Sequence, residues 1–303
     1  MRSLTCGALA ILAIADVSTA TAADLDYGVL RGPDYEPEVA AIDWSGFYIG
    51  AHGGYTSGAF GLKDTSRDIV ANALRRTVIE DELAVSGLLA PRDVRKGGGS
   101  FGGYAGYNVQ YDELVLGIEV DYTSANLNGV TGDAAGRQAG TTDGFQNVYR
   151  LNQTSNTKIR DYGTIRARAG YALGNFLPFV TGGLAIGRAS ISDTVGIQTF
   201  GYNQVTYAAN QALTDGAKPA YVNNYGYSYF DQSNPENSIV APMEYYGRKK
   251  TKVMAGVALG AGLEYAITPN FLLRGEYQYV LFNDFDGHKA NLNTVRAGAA
   301  YKF

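Results

Sequence analysis

Few side chains in this sequence have the chemistry needed for catalysis or metal binding. The chain has two histidines, His52 and His288, and one cysteine, Cys6. Two histidines are too few for a multi-histidine metal site, and a single cysteine gives neither a disulfide nor a cysteine-based zinc site. No local motif supplies a nucleophile with its base. We therefore expect no catalytic residue, no metal site and no enzyme activity.

A second set of reactive side chains consists of charges at alternate positions in otherwise apolar segments. Its members are Glu119, Asp121, Arg166, Arg168, Arg274, Glu276 and Arg296. A spacing of two residues places such side chains on one face of a β-strand. If those faces share a narrow interior, acids and bases should pair, because an unpaired buried charge is costly. We expect Glu276 to pair with Arg296 or Arg274, and Glu119 or Asp121 with Arg166 or Arg168.

Ligand-binding candidates lie in the long segments between the apolar stretches. His288 and Lys289, with Tyr225, Tyr227 and Tyr229, are surface-binding candidates. Hemin can be held by His or Tyr, with Lys or Arg on its propionates. The alternative is that both histidines are solvated loop or rim residues. The tyrosines, set among Asn and Gln, are typical of adaptable recognition surfaces, or else they form a small core of their own loop.

A basic run, Arg248, Lys249 and Lys250, follows the same tyrosine-rich segment. At the outer rim of a membrane protein it would face the phosphates of lipopolysaccharide, which bind such side chains by charge-assisted hydrogen bonds. It is equally compatible with an ordinary solvated charge run.

The elements that must position these residues are strands. In the last segment Val295, Ala297 and Ala299 alternate with Arg296 and Gly298, a period of two that indicates a strand with a different environment on each face. Eight segments fit this pattern: 44–55, 100–110, 114–122, 158–171, 175–188, 248–265, 271–282 and 292–303. Short links alternate with long ones at 56–99, 123–157 and 189–247, and with a shorter one at 283–291. Such asymmetry is typical of an up-and-down transmembrane barrel with short periplasmic turns and longer extracellular loops.

A soluble β-sandwich or lipocalin-like barrel is the alternative, with the apolar faces turned inward. The apolar faces, however, end in aromatic residues such as Tyr122, Tyr171, Tyr265 and Phe303, as the interface belts of membrane barrels do. The sequence therefore predicts an all-β, eight-stranded antiparallel transmembrane barrel with long extracellular loops. Within the first long loop, residues 66–83 show apolar residues near helical spacing and predict a short amphipathic helix.

The N-terminus predicts export. Arg2, an apolar stretch from Leu4 to Ala15 and the small residues before Ala22 indicate a signal peptide at 1–22 that contains Cys6. Residues 23–43 are acidic and proline-containing and predict a flexible periplasmic leader, so that the barrel spans 44–303. The net charge of −4 argues against a nucleic-acid partner. The mean hydropathy of −0.13 excludes a polytopic helical membrane protein.

The segments also resemble a known family. The stretch from Trp44 to Gly50 (WSGFYIG), the stretch from Phe101 to Asn108 (FGGYAGYN), Thr181-Gly182-Gly183 and the ending VRAGAAYKF at 295–303 are similar to the small outer-membrane immunogenic, porin-like proteins of alphaproteobacteria. The resemblance covers all eight strands but not the loops. It implies an eight-stranded barrel like the transmembrane domain of outer-membrane protein A, and it implies surface-antigen or hemin-binding roles in some members.

These observations predict a protein of the bacterial cell outer membrane with a structural and surface-interaction role. The alternatives are a small-solute porin and a hemin-binding surface receptor; otherwise no cofactor is expected. The expected partners are outer-membrane lipid and lipopolysaccharide, host or surface ligands at the loops, and the barrel-assembly machinery, through Phe303 at the end of the last strand.

Overall fold

The computed structural model describes residues 42–214 and 217–303. The predicted signal peptide at 1–22, and the predicted leader as far as residue 41, lie outside these ranges. Among the helices within them, none combines the length and apolar character needed to cross a membrane.

Eight long strands make up most of the described chain. They are β1 (Gly46–Gly61), β2 (Val94–Tyr111), β3 (Leu114–Gly140), β4 (Phe145–Tyr171), β5 (Phe176–Asn203), β6 (Glu244–Ala266), β7 (Phe271–Phe285) and β8 (His288–Lys302). Each strand pairs antiparallel with its neighbours in sequence, and β8 returns to β1, with Arg296 opposite Gly54. The predicted antiparallel up-and-down barrel is therefore confirmed by a closed ring of strand pairs.

The remaining elements are short. Two helices, α1 (Arg67–Ala73) and α2 (Val78–Leu83), and a 3₁₀ turn at Val85–Gly87 lie between β1 and β2. Between β5 and β6 lie α3 (Gln204–Gln211), a 3₁₀ turn at Pro235–Asn237 and three strands of two or three residues, Asn224–Tyr225, Tyr227–Tyr229 and Ile239–Val240.

The two faces of each long strand meet different surroundings. On β6, Leu259 is 58% exposed on the outer wall, whereas Ala258 next to it is fully buried. On β7 the exposed residues Phe271, Leu273 and Tyr277 alternate with buried ones in the same way. The apolar side chains thus point toward lipid and the charged ones toward the interior.

Replacing Leu259 by Arg should cost about 2–4 kcal/mol of folding free energy, because this position lies near the middle of the lipid-facing face. Val253→Arg, on the same strand but near the outer end of that face, should cost about 0–1 kcal/mol. Both values can be measured by denaturant unfolding in lipid vesicles. Equal costs at the two positions would show that this face does not contact hydrocarbon.

Several predicted strand limits and loops are wrong. Residues 123–157 do not form a loop. β3 continues to Gly140, β4 already begins at Phe145, and the two strands stay paired as far as Gly140 opposite Gln146. In the same way, β5 extends to Asn203, β6 begins at Glu244, β1 ends at Gly61 and β2 begins at Val94. The predicted loop 283–291 is mostly strand and contains a two-residue turn, Asp286 (φ 52°) and Gly287 (φ 79°). The outward faces of these strand ends carry mostly polar or small side chains, and the inward faces mix polar and apolar ones. They therefore lack the apolar contrast from which strands were predicted.

The outer parts of β3, β4, β5 and β6, together with the segment 62–93, form what we call the external domain. The predicted helix at 66–83 is two helices, because Arg76 adopts a left-handed conformation (φ 63°) and Thr77 caps the start of α2. The helical segment packs on the sheet through one apolar cluster. Its buried members are Val70, Leu74, Ile79, Val85, Leu89, Tyr149, Leu151, Val195 and Ile197.

Candidate functional site

The barrel interior holds a cluster of charged side chains at mid-height. The structure brings together all seven predicted interior charges, each almost completely buried: Glu119 and Asp121 on β3, Arg166 and Arg168 on β4, Arg274 and Glu276 on β7, and Arg296 on β8. The alternation of each strand places these side chains on its inner face, and the barrel closure makes those faces converge.

Arg166 lies at the centre of this ion-pair network. Its Nη2 is 2.5 Å from Glu119 Oε1 and 2.8 Å from Asp121 Oδ2. Its Nη1 donates to Glu276 Oε1 and, at 2.9 Å, to Thr181 Oγ1. One guanidinium therefore holds three carboxylates from two strands.

The other arginines extend the network. Arg296 Nη2 is 3.0 Å from both Glu276 Oε2 and Asp121 Oδ2. Arg274 Nη2 is 2.5 Å from Glu119 Oε2, whereas its Nη1 is 3.6 Å from Glu276. The structure thus places Glu276 nearer to Arg296 than to Arg274, and it adds a contact to Arg166 that the sequence reasoning did not consider.

Glu264 on β6 is a member of the network that sequence reasoning left out of the candidates. It accepts hydrogen bonds from Arg168 and, at 2.7 Å, from Arg274 Nε, whereas Arg168 is 4.0 Å from Glu119. Its position on the glycine-rich face of β6 was the available signal. With Glu264 included, four carboxylates face four guanidinium groups, and the formal charges cancel.

Aromatic rings complete the surroundings of two arginines. The guanidinium carbon of Arg168 lies 4.3 Å from the centre of the Phe179 ring, and that of Arg274 lies 4.3 Å from the centre of the Tyr104 ring. Tyr48 donates a hydrogen bond of 2.8 Å to Glu119 Oε2. Cation–π contacts of this kind are strongest where water is excluded.

Apolar side chains occupy the interior in two further clusters. One comprises Trp44, Tyr48, Tyr104, Val115, Leu177, Ala266, Leu272 and Ala300, near the short turns. The other lies further out and includes Phe60, Leu62, Leu127, Ile159, Tyr162, Phe282 and Leu292. The ion-pair network is therefore enclosed between two packed apolar clusters.

The expectation that His288 is a loop residue available to a surface ligand is wrong. His288 begins β8, is fully buried, and contacts Thr157 Oγ1 at 2.6 Å through Nδ1 and Asp193 Oδ2 at 3.0 Å through Nε2. The tight turn at 286–287 starts the strand earlier than predicted, and the alternation of β8 then turns residue 288 inward.

His52 is also not a solvated rim residue. It points into the barrel from β1, where its Nε2 lies 3.2 Å from Arg296 Nη1 and 3.4 Å from Thr123 Oγ1. Both histidines are thus interior polar groups rather than ligands at the surface.

Thr157, His288 and Asp193 together have the composition of a nucleophile, base and acid. All three side chains are buried, and Asp193 Oδ2 also forms a salt bridge with Arg248 Nη2 at 2.9 Å. General-base catalysis needs a substrate within hydrogen-bond reach of the base, and side chains fill the space around this group. Within the described ranges, no group of three or more His, Cys, Asp or Glu side chains is arranged to hold a metal ion.

The side chains of the basic run at 248–250 lie on both faces of β6 rather than on the outer face alone. Arg248 does not face lipopolysaccharide: it points inward, where its Nη2 also donates to the carbonyl oxygens of Thr65 and Asp286 at 3.0 Å each. Lys250 shares this inner side and is 3.9 Å from Asp286, whereas Lys249 is exposed on the opposite face. A hydrogen bond from Lys252 lowers the pKa of Asp286 below its usual value, and the nearby cationic charges act in the same direction.

The predicted surface tyrosines differ in exposure. Tyr229 is exposed, and Tyr227 is half-buried against the rings of Phe200 and Phe230, at centroid distances of 5.4 and 5.0 Å. Tyr225 is half-buried and donates a 2.6 Å hydrogen bond to Asn147; burial raises its pKa. Part of this loop is therefore self-packed, and Tyr229 and Lys289 remain open to solvent.

Comparison with known proteins places these features in a family. The model of the outer membrane protein β-barrel domain matches residues 9–303. The chain is 32% identical to the 31 kDa outer-membrane immunogenic protein of Brucella melitensis, over 97% of this chain and 98% of that protein. It is 29% identical to the 22 kDa outer membrane protein of Rhizobium leguminosarum bv. viciae, over 79% of this chain and 96% of that protein. Among solved structures, the outer membrane protein OprG from Pseudomonas aeruginosa aligns over 86% of this chain and 96% of that chain, with 11% identity and a TM-score of 0.35.

Proposed function

Because this chain belongs to the outer membrane protein β-barrel domain family, we propose that it acts in the outer membrane as a closed barrel that carries the external domain for surface interactions. The resemblance to outer-membrane immunogenic proteins is confirmed, and so is the location in the bacterial outer membrane. Both relatives described above are outer-membrane proteins by name, and the one from Brucella melitensis is named immunogenic. Their names denote no enzyme.

The observation that carries this proposal is the filled interior. An eight-stranded barrel has an interior that side chains can fill. Here the network around Arg166 and the outer apolar cluster around Leu127 and Phe282 lie in series along the barrel. A solute would have to separate buried ion pairs and packed apolar side chains to pass, which argues against the small-solute porin.

The external domain supports the interaction role. The helices α1 and α2 are held on the sheet by buried Val70, Leu74 and Ile79, so they form a fixed surface rather than a loose loop. The exposed ring of Tyr245 on β6 and, next to the external domain, those of Tyr221 and Tyr229 in the segment between β5 and β6 add amphipathic contact area of the kind that recognition surfaces use. The proposed partners of the external domain are ligands on the surfaces of other cells, including host cells.

We assign neither catalysis nor hemin binding to the protein. The burial of Thr157, His288 and Asp193 argues against a reaction at these side chains, and the contact with Asp193 removes His288 from the groups that could hold hemin. The proposal therefore keeps the surface role and sets aside the receptor for hemin.

Single-channel recording tests the closed barrel. Refolded protein in planar bilayers should show no steady open conductance, because both apolar clusters and the ion-pair network block the path. Protein lots should be checked first for the β-sheet signal in far-ultraviolet circular dichroism. A large, steady conductance from such folded protein would support the small-solute porin instead.

A further inference from the structure

A cavity of about 630 Å³ lies on the outer wall of the barrel, where β2, β1, β8 and β7 lie side by side. Its lining includes Ala59, Gly61, Arg95, Leu281 and Lys289. Ala59 is opposite Arg95 on one side and Asn291 on the other, and Asn291 is opposite Leu281. We call this depression the outer groove; its floor is low because β1 contributes only small side chains there.

The outer groove begins just beyond the aromatic belt of the barrel. Tyr55 on β1 and Tyr277 on β7 point outward and lie on either side of Val295 in the strand register. Ala59 follows Tyr55 by four residues toward the outside. Aromatic residues of membrane barrels mark the boundary between hydrocarbon and headgroups. The outer groove therefore lies at the level of the lipid headgroups in the outer leaflet.

Two cations flank the outer groove. Arg95 forms no salt bridge with any residue of the described chain. Lys289 is two-thirds exposed and has one weak ionic contact, 3.8 Å from Asp284 Oδ2, which is itself about half exposed. Asp93 is the carboxylate among the lining residues. An arginine without an acidic partner, at the depth of lipid phosphates, points to an anionic group of the membrane itself.

We propose that the outer groove binds the phosphorylated glycolipid of the outer leaflet, lipopolysaccharide, through its lipid A part. A lipid A phosphate lies between the guanidinium of Arg95 and the ammonium of Lys289, which attract it as clustered basic side chains attract anionic headgroups. An acyl chain runs along Leu281 toward the aromatic belt. This inference rests on the outer-membrane location and does not depend on the proposed surface role.

Native mass spectrometry of the folded full-length protein, titrated with bisphosphorylated lipid A, tests the site. We expect one lipid A to be retained, and lipid A from which both phosphates have been removed to bind at least tenfold more weakly. Arg95→Gln and Lys289→Gln should each weaken retention of the phosphorylated lipid about fivefold. Inorganic phosphate at millimolar concentration should not displace the lipid, because the acyl contacts are part of the site.

Two further variants separate this site from a general charge effect. Lys249→Gln removes another exposed cation, from the outer face of β6, and should leave retention unchanged. Asp284→Asn should increase retention about twofold, because it frees Lys289 from its weak partner. Equal binding of both lipids, or an equal loss with Lys249→Gln, would overturn the proposal. Displacement by inorganic phosphate would show a site for phosphate rather than for the lipid.

Discussion

Replacing Arg166 by Gln is expected to lower the free energy of unfolding by about 3–5 kcal/mol, the usual cost of removing one partner from a buried ion pair. The substitution leaves the carboxylates of Glu119, Asp121 and Glu276 close together without the guanidinium that contacts all three. The apolar clusters on both sides of the network separate these carboxylates from water, so they do not readily regain hydration. Denaturant unfolding in lipid vesicles measures the loss, with the fluorescence of Trp44, the one tryptophan of the chain, as the probe.

Two variants make the Arg166 experiment specific. Arg166→Lys keeps the positive charge but loses the planar fork that contacts several oxygen atoms at once, so an intermediate loss is expected. Arg188→Gln removes an exposed arginine that pairs with Asp161 on the outer part of the barrel, and it should change the stability little. If Arg166→Gln were as mild as Arg188→Gln, the interior charges would be hydrated, and the small-solute porin would become the better description.

The membrane-spanning part of the fold could be predicted from the sequence because lipid and the barrel interior impose opposite requirements on the two faces of each strand. The segment 114–122 shows this contrast clearly, and the structure begins β3 at Leu114 as predicted. Beyond Tyr122 the same strand continues through Asn128, Thr131 and Asp133, where water replaces lipid outside. Both faces then accept polar side chains, so the period of two is lost although the backbone stays paired.

The interior charges could be predicted for the same reason. In a strand whose other face is apolar and contacts lipid, a charged side chain can only point into the barrel interior. His288 could not be placed in this way, because the sequence pattern predicts that the last strand begins only at residue 292. A local signal was nevertheless present: Asp286-Gly287 is a preferred sequence for a two-residue hairpin turn. A strand that starts directly after this turn puts residue 288 on the same inner face as Leu292 and Arg296. The partner of His288, Asp193, lies 95 positions away and could not be identified from the sequence.

Asp193→Asn should lower the stability of the external domain by about 3–4 kcal/mol, because it removes the negative charge that holds Arg248 and His288 together in a buried site. Arg248 also donates to the carbonyl oxygens of Thr65 and Asp286, so a displaced Arg248 releases the segment before α1 from the β7–β8 turn. The loss should therefore appear as local opening. Trypsin should cut next to Arg75 and Arg76 at least tenfold faster, while the membrane-spanning strands stay protected from hydrogen exchange. Asp161→Asn, a change in an acid whose partner Arg188 is exposed, should leave the cleavage rate unaltered. If instead α1 and α2 kept their protection while the strands lost theirs, Asp193 would stabilise the barrel as a whole rather than hold the external domain on it.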